Sequence, residues 1–434
     1  MNILLIGSGG REHAFALKLT QSPLCKKLYV SPGNSGTAQV AENVQINNSD
    51  FDQLARFCLD QQIEMLVIGP EEPLVAGLSD YFKANSALKH IRFIGPVKNG
   101  ALLEGSKDFA KAFMRKYNIP TARYASFVKD NITQAYTFLE LMPSPYVLKA
   151  DGLAAGKGVL IIDDLQQAKE EVNNILLNDK FGTAGSKVVI EEFLPGIEMS
   201  VFALCDGKNY VILPSAKDYK RIGEHDTGLN TGGMGAVSPV PFADASFMKK
   251  VEERIIEPTV KGLNNENIPY CGFIFIGLMK VGENPYVIEY NVRMGDPETE
   301  VVLPRIKSDL VDLFVHTADQ KLNQFEIEID DRYAVTVVAV SEGYPGPYQK
   351  GKVISGLKDV TQSTVYHAGT IANENNVLTN GGRVMAITSL DQQLSEALAK
   401  SYSSLNKVCY EGIRFRKDIG KDLLPFLEDT AVKR

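Results

Sequence analysis

Residues 146–159 read YVLKADGLAAGKGV, a glycine-rich loop that carries lysines on both sides. Further along the chain, residues 287–297 read VIEYNVRMGDP, in which polar and charged side chains alternate with apolar ones. Lysines and the bare backbone amides of glycines bind phosphates, and carboxylate and amide oxygens bind hard cations such as Mg²⁺. The two segments together supply the groups that ATP-dependent chemistry needs.

The glycine-rich segment does not match a P-loop. A P-loop spaces its glycines more widely, continues with Lys and Ser or Thr, and opens a helix. Here three residues separate Gly152 from Gly156, and the residues after Gly158 read VLII, which is typical of a strand. The loop is therefore predicted to join two strands, 146–149 and 159–162, and to fold over phosphates with Lys149, Gly156 and Lys157. A glycine-rich hairpin without a ligand is the alternative.

The acidic segment predicts a strand with one polar face. Alternate residues of a strand share a face, so Glu289, Asn291 and Arg293 are expected to point the same way. Glu289 and Asn291 offer the oxygen ligands that Mg²⁺ prefers, and Arg293 carries a permanent charge that forks onto a carboxylate or phosphate. The alternative is an edge strand whose polar face is solvated.

Size and composition indicate a globular protein of several domains. The chain has 434 residues, 44% of them hydrophobic and 23% charged, with a net charge of -7, which argues against a nucleic-acid-binding surface. No apolar run is long enough to cross a bilayer, and the N-terminus leads directly into a strand, so we expect neither a membrane segment nor a signal peptide. The five cysteines are scattered without a CxxC motif, as suits a reducing cytoplasm.

Residues 1–102 alternate predicted strands and helices, which indicates a doubly wound α/β domain. Ligands of such sheets bind beyond the carboxyl ends of the strands, where turns are predicted at residues 7–12, 31–34 and 69–74. The first turn resembles a dinucleotide fingerprint, but Glu12 occupies the place of the third glycine. The amides at the start of the first helix, together with Arg11, would still suit a phosphate.

Residues 103–325 are predicted to form a larger α+β domain, and residues 326–434 a strand-rich one. Ser106 is expected to cap a helix that ends at Lys116 and carries Lys107 in its first turn. A strand over 187–193 is expected to end in backbone groups that could bind an adenine edge, followed by Glu198 for ribose hydroxyls. Residues 217–235 are predicted to be a long loop that is functional or disordered, because its end is rich in Gly, Asn and Thr.

Several segments, in this order, resemble the glycinamide ribonucleotide synthetase (phosphoribosylamine–glycine ligase) family of ATP-grasp enzymes. The resemblance covers nearly the whole chain, and its NTGGMG and GDPET segments are close to signatures of the family. It rests on GSGGREH (7–13), PGN (32–34), GPE (69–71), LEGSK (103–107), KADGLAAGKG (149–158), DTG (226–228), NTGGMG (230–235), GDPET (295–299) and RKDIG (416–420).

This resemblance implies a reaction and a domain order. ATP would phosphorylate the carboxylate of glycine, and the amine of 5-phosphoribosylamine would then attack the glycyl phosphate, giving glycinamide ribonucleotide, ADP and phosphate. The central 103–325 domain would be the ATP-grasp domain, with a mobile lid over about 120–190. We expect small-molecule substrates only, with no nucleic acid or membrane partner, a monomer or weak dimer, and a cytoplasmic location.

The resemblance also implies roles for individual residues. Catalytic roles are implied for Arg293, Lys149 and Asp226. The metal, Mg²⁺ or Mn²⁺, would be held by Glu289 and Asn291. ATP would be bound by Lys107, Lys149, Gly156, Lys157, Glu191, Glu192, Phe193, Leu194 and Glu198. The other substrates would be bound by Gly9, Gly10, Arg11, Glu12, Asn34, Pro70, Glu71, Lys220, Asn230 and Arg293.

Four residues depart from the family pattern: Lys217, Tyr219, Met294 and Glu300 stand where Gln, His, Phe and Gln are expected. Many ATP-grasp enzymes also have a carboxylate on the strand before the acidic strand, whereas here Gly277 is near that place. These departures affect fine contacts rather than the reaction.

Three other functions compete with this interpretation. A dinucleotide-dependent oxidoreductase would need a complete GxGxxG fingerprint, which Glu12 interrupts. A non-catalytic nucleotide-binding protein would tolerate the loss of Lys149, Glu289 or Arg293, yet all three are present. A sister ATP-grasp ligase that uses another carboxylate remains an alternative that residue types alone do not exclude.

Overall fold

The N-terminal segment forms a parallel sheet in which the first strand lies in the middle. The computed structural model describes residues 1–154 and 158–427. The strands run in the order β3-β2-β1-β4-β5 and are all parallel, which confirms the predicted doubly wound α/β sheet. They are β1 Asn2–Gly7, β2 Lys27–Pro32, β3 Glu42–Asn43, β4 Met65–Ile68 and β5 Arg92–Ile94, and the helices are α1 Gly10–Thr20, α2 Thr37–Val40, α3 Phe51–Asp60, α4 Glu71–Ala76, α5 Leu78–Ala84 and α6 Lys98–Gly105.

The first helix begins earlier than the sequence predicts. Of the turn expected over residues 7–12, the last three residues belong to α1, because Gly9 has extended backbone and caps the helix. The carboxylate of Glu12 accepts a hydrogen bond from the Gly9 amide at 2.5 Å, which satisfies one of the N–H groups left free at a helix start. Arg11 and Glu12 are therefore helical residues with buried side chains.

The next segment forms an antiparallel sheet with a core of its own. Its strands are β6 Tyr124–Val128, β7 Tyr146–Ala150, β8 Val159–Ile162 and β9 Lys187–Glu192, in the order β6-β9-β7-β8, and its helices are α7 Lys107–Lys116, α8 Ile132–Glu140 and α9 Leu165–Leu176. The β7–β8 pair confirms the predicted hairpin. Apolar side chains of α8, α9 and these strands form a hydrophobic cluster separate from the main one.

The remaining strands build a nine-stranded sheet that extends across the predicted boundary at residues 325 and 326. The order is β16-β15-β10-β11-β14-β17-β22-β19, with β23 beside β17. Its members and the smaller sheets are β10 Ile197–Cys205, β11 Tyr210–Asp218, β12 Arg221–Gly223, β13 Thr227–Asn230, β14 Gly235–Ser238, β15 Gly272–Val281, β16 Asn284–Asn291, β17 Tyr333–Ser341, β18 Val353–Ile354, β19 Thr364–His367, β20 Thr370–Asn373, β21 Asn376–Thr379, β22 Arg383–Asp391 and β23 Ile413–Arg414. The strand-rich C-terminal segment is thus present, but β14 joins it to the central sheet by antiparallel pairing with β17.

The α-helices that accompany this sheet in the described part of the chain include α10 Ala245–Val251, α11 Glu257–Asn265, α12 Thr299–Val302, α13 Leu310–Ala318 and α14 Leu394–Leu405. Buried side chains of the parallel and nine-stranded sheets belong to one continuous hydrophobic cluster. Among the residues that the structure describes, no helix has the length and apolar character needed to cross a membrane.

Residues 217–235 do not form the long loop that their composition predicts. Residues 217–218 end β11, and β12 and β13 pair as a short hairpin. The tip of this hairpin contains His225 and Asp226, both with positive φ (56° and 52°). Gly228 and Gly233 also have positive φ (80° and 117°), so these two glycines serve left-handed backbone positions rather than an irregular loop.

Candidate active site

A bulge in the β15–β16 hairpin shapes the centre of the site. Glu289 pairs with Gly277 and Val287 pairs with Leu278, so Ile288 is an extra residue that bends the strand. A Cβ on Gly277 would lie 3.2 Å from Cγ of Glu289, so glycine leaves room for the acidic side chain there. This explains why the strand before Glu289 carries no carboxylate at the expected place.

The Glu289 carboxylate lies among cations but is not bound by any of them. Within residues 1–154 and 158–427, no side chain or amide makes a hydrogen bond or ion pair with it. Burial alone would raise its pKa, but Lys220, Lys149 and Lys107 outweigh burial, and the pKa of Glu289 is lowered. The group is therefore an ionised carboxylate with free oxygens, as a metal ligand must be.

Asn291 completes a plausible pair of metal ligands. It lies on the same strand face as Glu289, and its Oδ1 accepts one hydrogen bond, from Arg293 Nη2 at 3.1 Å, which leaves a second lone pair. Its buried Nδ2 has no partner among the described residues. No group of three or more His, Cys, Asp or Glu that could hold a metal exists in the described part of the chain. Two oxygen ligands suit Mg²⁺ or Mn²⁺, which usually take the rest of their shell from phosphates and water.

Two buried lysines share one glutamate beside the metal ligands. Lys149 Nζ lies 3.0 Å from Glu191 Oε1 and donates to the carbonyl of the bulged Ile288, also at 3.0 Å. Lys111 Nζ lies 2.8 Å from Glu191 Oε2 and donates to Thr121. The side chain of Glu191 thus orients two lysines, and its predicted contact with the nucleotide stays a prediction.

Sequence reasoning missed Lys111 altogether. It lies on α7 one turn after Lys107 and is almost fully buried. Burial lowers its pKa to about 8, although Glu191 opposes this shift. A lysine on the buried side of an amphipathic helix was the available signal, because lysine is almost never buried without a partner.

Lys107 approaches the same centre from the start of α7. Its Nζ donates to the Gly152 carbonyl at 3.2 Å, and its backbone amide donates to the Asp151 carbonyl. The carboxylate of Asp151 also accepts hydrogen bonds from Ser106 and Asp108. The α7 N-terminus is therefore fastened to the first part of the glycine-rich loop.

Two residues predicted to bind ATP, Gly156 and Lys157, lie outside the described residues.

Three of the other residues predicted to bind ATP, Glu192, Phe193 and Leu194, lie at or just beyond the end of β9, whose last residue is Glu192. Glu192 exchanges hydrogen bonds with the backbone of Arg123, and the side chain of Phe193 is 39% exposed. Phe193 and Leu194 lie beyond the last paired residue of β9, so their backbone groups are outside the sheet register.

Arg293 binds two carboxylates, those of Glu71 and Glu104. Its Nη2 donates to Glu104 Oε1 at 2.6 Å and to Asn291, while its Nε donates to Glu71 Oε2 at 3.2 Å. The other oxygen of Glu104 accepts from the Val292 amide at 2.8 Å. Arg293 thereby links Glu71 on α4 and Glu104 on α6 to Asn291 at the end of β16.

Glu104 is a site residue that sequence reasoning quoted in a motif but did not assign. Burial raises its pKa to about 7, although Arg293 opposes the shift. It lies in the last turn of α6, where an acidic residue is unfavourable beside the negative end of the helix dipole. An acidic residue at this unfavourable position in the helix could have indicated a functional role for Glu104.

A second acidic cluster surrounds Lys220. Its ammonium forms an ion pair with Glu198, the residue predicted to bind ribose. Burial would lower the pKa of Lys220, but Asp218 and Glu198 outweigh burial and raise it. Burial, reinforced by Glu198 and opposed by Lys220, raises the pKa of Asp218, while burial and Asp218 raise that of Glu298. Asp218 and Glu298 were not predicted as site residues.

At the start of α1, where a phosphate site is predicted, two backbone amides are bound by the protein's own carboxylates. Glu12 binds the Gly9 amide and Arg11 Nε, the latter at 2.6 Å. A Cβ on Gly69 would lie 1.9 Å from Glu12 Oε1, so this side chain fills the space between two strand ends. Asp296 accepts from the Arg11 amide at 3.3 Å.

Asn34 and Pro70 are also placed at strand ends of the parallel sheet. Asn34 Nδ2 donates to the Ser8 and His367 carbonyls, both at 2.8 Å, and Oδ1 accepts from the Gly36 amide. Pro70 has extended backbone and precedes α4, whose first residue is Glu71. Asn34 therefore connects the N-terminal sheet with the C-terminal strands, and Pro70 directs Glu71 toward Arg293.

Asp226 and Asn230 lie on the β12–β13 hairpin. The side chain of Asp226 is 58% exposed and lies 2.6 Å from Arg416 Nη1. Asn230 pairs with Arg221 at the other end of the hairpin. In the described part of the chain, no contact joins Asp226 to the cluster around Glu289.

Comparison with known families identifies this arrangement. Three domain models of phosphoribosylglycinamide synthetase match the chain: the N domain over residues 1–104, the ATP-grasp (A) domain over 105–299 and the C domain over 334–422. The chain belongs to the phosphoribosylglycinamide synthetase family. As a member of this family it is an ATP-grasp ligase of purine biosynthesis, and the family match does not favour a dinucleotide-dependent oxidoreductase.

Individual relatives of the phosphoribosylglycinamide synthetase family agree over the full length. A Haemophilus influenzae protein named phosphoribosylamine–glycine ligase is 45% identical over 425 residues, which cover 97% of this chain and 98% of that protein. The crystal structure of phosphoribosylamine–glycine ligase from Thermotoga maritima is 34% identical, with a TM-score of 0.84, covering 96% of this chain and all of that one.

The fold extends beyond the phosphoribosylglycinamide synthetase family. The biotin carboxylase domain of a Hydrogenobacter thermophilus 2-oxoglutarate carboxylase, in complex with MgADP, ADP and bicarbonate, has a TM-score of 0.69 at 16% identity. The match covers 95% of this chain and 91% of that one. This likeness shows that the chain has the common fold of ATP-grasp enzymes.

Proposed function

We propose that this chain is a phosphoribosylamine–glycine ligase, which joins glycine to 5-phosphoribosylamine at the expense of ATP. The glycine carboxylate attacks the γ-phosphorus of ATP, so that glycyl phosphate forms and ADP leaves. The amine nitrogen of phosphoribosylamine then attacks the acyl carbon, phosphate leaves, and the nitrogen loses one proton. The observation that carries the proposal is the convergence of Lys107, Lys149 and Arg293 on Glu289, which carries free ionised oxygens.

The nucleotide end of the site is formed by lysines and metal ligands. Lys149 and Lys107 meet the phosphates, and Lys111 and Glu191 hold Lys149 in place. A divalent metal, when bound by Glu289 and Asn291, neutralises charge on the phosphates. Both Mg²⁺ and Mn²⁺ suit these oxygen ligands.

Other parts of the nucleotide would meet neighbouring segments. We assign the adenine to the backbone of Phe193 and Leu194, next to Glu192, and the ribose to Glu198. Gly156 and Lys157 remain proposed phosphate ligands of the glycine-rich loop.

The glycine end of the site is formed by Arg293 and the acidic cluster. The guanidinium of Arg293 binds the glycine carboxylate and then the acyl phosphate, which compete with Glu71 for its Nε. Asp218 and Glu298 are proposed to face the ammonium group of glycine, whose positive charge would favour their ionised forms and so oppose the effect of burial, while Lys220 balances part of the resulting charge. In this proposal Arg293 binds the carboxylate end of glycine, and Asp218 and Glu298 face its ammonium end.

The acceptor end of the site is assigned to the strand ends of the N-terminal sheet and to the β12–β13 hairpin. Gly9, Gly10 and Asn34 border the position proposed for the ribose phosphate, together with Arg11, Glu12 and Pro70. Asn230 and Asp226 are proposed to close the pocket and exclude water, which would otherwise hydrolyse the acyl phosphate.

Omission of single substrates tests the reaction. We expect ADP release from Mg-ATP only when glycine and freshly generated phosphoribosylamine are both present, together with glycinamide ribonucleotide detected by mass spectrometry. ADP formed with a different carboxylate, such as bicarbonate or formate, would instead assign the chain to a sister ATP-grasp activity. Replacing Mg²⁺ by Mn²⁺ in the same assay measures the metal preference.

The same proposal includes the setting of the enzyme. We infer a cytoplasmic location from the scattered cysteines, and small-molecule substrates only, without nucleic acid, from the net charge of -7. We also propose a monomer or weak dimer. Analytical ultracentrifugation tests the oligomeric state, and cell fractionation tests the location.

A further inference from the structure

Glu300 is a buried carboxyl group that is not bound by any residue of the described part of the chain. It lies in α12, its side chain is 1% exposed, and neither of its oxygens has a hydrogen-bond partner among the described residues. A Cβ on Gly10 would lie 2.3 Å from Glu300 Oε1, so the carboxyl group packs directly against the first turn of α1. The family pattern leads one to expect glutamine at this position, which is neutral at every pH.

Asp296 lies against the preceding residue of the same turn. A Cβ on Gly9 would lie 2.8 Å from Asp296 Oδ2, so two carboxyl groups pack against two consecutive glycines. Asp296 already binds Arg383 at 2.9 Å and the Arg11 amide. Its negative charge therefore holds both α1 and β22.

The nearby cations are already matched by other carboxylates. Arg383 is paired with Asp296, and Arg11 is paired with Glu12. The charged and titratable groups on the elements around α12 are Arg11, Glu12, His13, Lys18, Tyr210, Lys217, Asp218, Asp296, Glu298, Arg305, Tyr333, Tyr366, His367, Arg383 and Asp391. Of these, Asp296 and Glu298 repel a charge on Glu300, and Arg383 attracts it.

We propose that Glu300 is a neutral carboxylic acid, and that its proton keeps the first turn of α1 in the position that the acceptor substrate needs. Glu300 is thus a positioning residue, which acts through Gly9 and Gly10. The inference rests on the proposed function, because it assigns that turn to phosphoribosylamine.

The physical reason is the cost of a second charge. An ionised carboxylate that is buried without a partner is strongly unfavourable, and the neighbouring Asp296 charge adds repulsion. Burial and Asp296 accordingly raise the pKa of Glu300 well above its ordinary value of 4.5. Ionisation would push Asp296 away from Glu300 and would loosen its bonds to Arg383 and to the α1 amide.

The first test compares the stability of wild type with that of Glu300→Gln between pH 5 and pH 9. The unfolded chain releases this proton near pH 4.5, whereas the folded chain keeps it to a higher pH. Each pH unit above about 5 is therefore expected to lower the folding equilibrium constant of wild type about tenfold relative to the variant, until Glu300 ionises in the folded state. Urea unfolding at each pH measures this ratio.

Two further variants control for other effects of the substitution. Glu300→Met is also neutral at every pH, so it should show the same pH dependence as Glu300→Gln even if packing changes its stability by a constant amount. Glu396→Gln changes an exposed glutamate on α14 and should remain parallel to wild type. Wild-type and Glu300→Gln stabilities that remain parallel from pH 5 to pH 9 would overturn the proposal.

The second test measures binding of glycinamide ribonucleotide by calorimetry over the same pH range. The urea data locate the pH at which Glu300 ionises in the folded state, and calorimetry is extended to that pH. Above it, wild type should lose affinity while Glu300→Gln keeps it, and equal affinities in the two proteins there would overturn the positioning role. If wild type bound no glycinamide ribonucleotide at any pH, the proposed function would fail instead, and the stability comparison would still decide whether Glu300 holds a proton.

Discussion

Glu289 and Glu12 are two acidic residues in comparable surroundings that are used in opposite ways. Both are near arginines or lysines, yet Glu12 is bound by Arg11 and by the Gly9 amide, whereas Glu289 has no bond to any described residue. Glu12 fills a gap between strand ends, and Glu289 has space beside Gly277. A satisfied carboxylate stabilises the fold, whereas an ionised and unbound one is available to a ligand.

The largest expected effect is on catalysis, from Glu289→Gln. This change removes a charged metal ligand, so we expect ADP release to fall roughly 10²–10³-fold, as for the loss of one preorganised charge-stabilising group. The dependence on Mg²⁺ concentration should move to higher values. Steady-state assays at several Mg²⁺ concentrations measure both effects.

Glu283→Gln is the matched control for this change, because Glu283 lies on the turn of the same hairpin with a side chain that is 71% exposed. It should leave ADP release unchanged. Normal metal-dependent turnover in Glu289→Gln would show that Glu289 is not a metal ligand. Its role would then be structural, like that of Glu12.

The next effect is on stability, from Glu12→Gln. The neutral amide weakens the hydrogen bonds to Arg11 and Gly9 and leaves the buried guanidinium without its counter-charge. We expect a loss of about 1.5–3 kcal/mol in the free energy of unfolding, as is typical of hydrogen bonds to charged groups. Urea denaturation measures it, with Glu42→Gln, an exposed glutamate paired with Lys27, as the control. A shift of the Mg²⁺ dependence to higher concentrations without a loss of stability would contradict the contrast with Glu289.

The smallest effect is expected from Asp226→Asn. The side chain of Asp226 is 58% exposed, and its buried partner Arg416 keeps a second carboxylate, Asp418, at 2.7 Å. The stability should therefore change by only about 0–1 kcal/mol, as for a solvent-screened ion pair. The steady-state assay of ADP release tests the catalytic role that is predicted for Asp226 from the sequence. A loss of about tenfold or more in kcat/KM, which corresponds to ~1.4 kcal/mol, would support that role, whereas a smaller change would assign Asp226 to the hairpin.

Local patterns in the sequence were sufficient where the chemistry is local. The alternation of residues in β16 predicts that Asn291 and Arg293 share a face, and their side chains are hydrogen-bonded. The run of apolar residues on each side of the glycine-rich loop predicts the β7–β8 hairpin. The family motifs predict the ATP-grasp fold, which the comparisons confirm.

Contacts between distant segments were beyond such patterns. Glu104 lies 189 positions before its partner Arg293, and Lys111 lies 80 positions before its partner Glu191. No local spacing therefore indicates either contact. The pairing of β14 with β17 is equally non-local. Composition also misled the prediction for residues 217–235, because a turn with left-handed backbone and a structureless loop favour the same residues.

The shared nine-stranded sheet has a consequence for dividing the chain. Separation between residues 325 and 326 would leave β14 in one fragment and β17 in the other, each with an open row of backbone donors and acceptors. Neither half could cover that edge alone, so co-expressed fragments would recombine into a working enzyme more readily than either would persist by itself. A gene fission at this boundary would therefore yield an obligate two-chain protein rather than two independent modules.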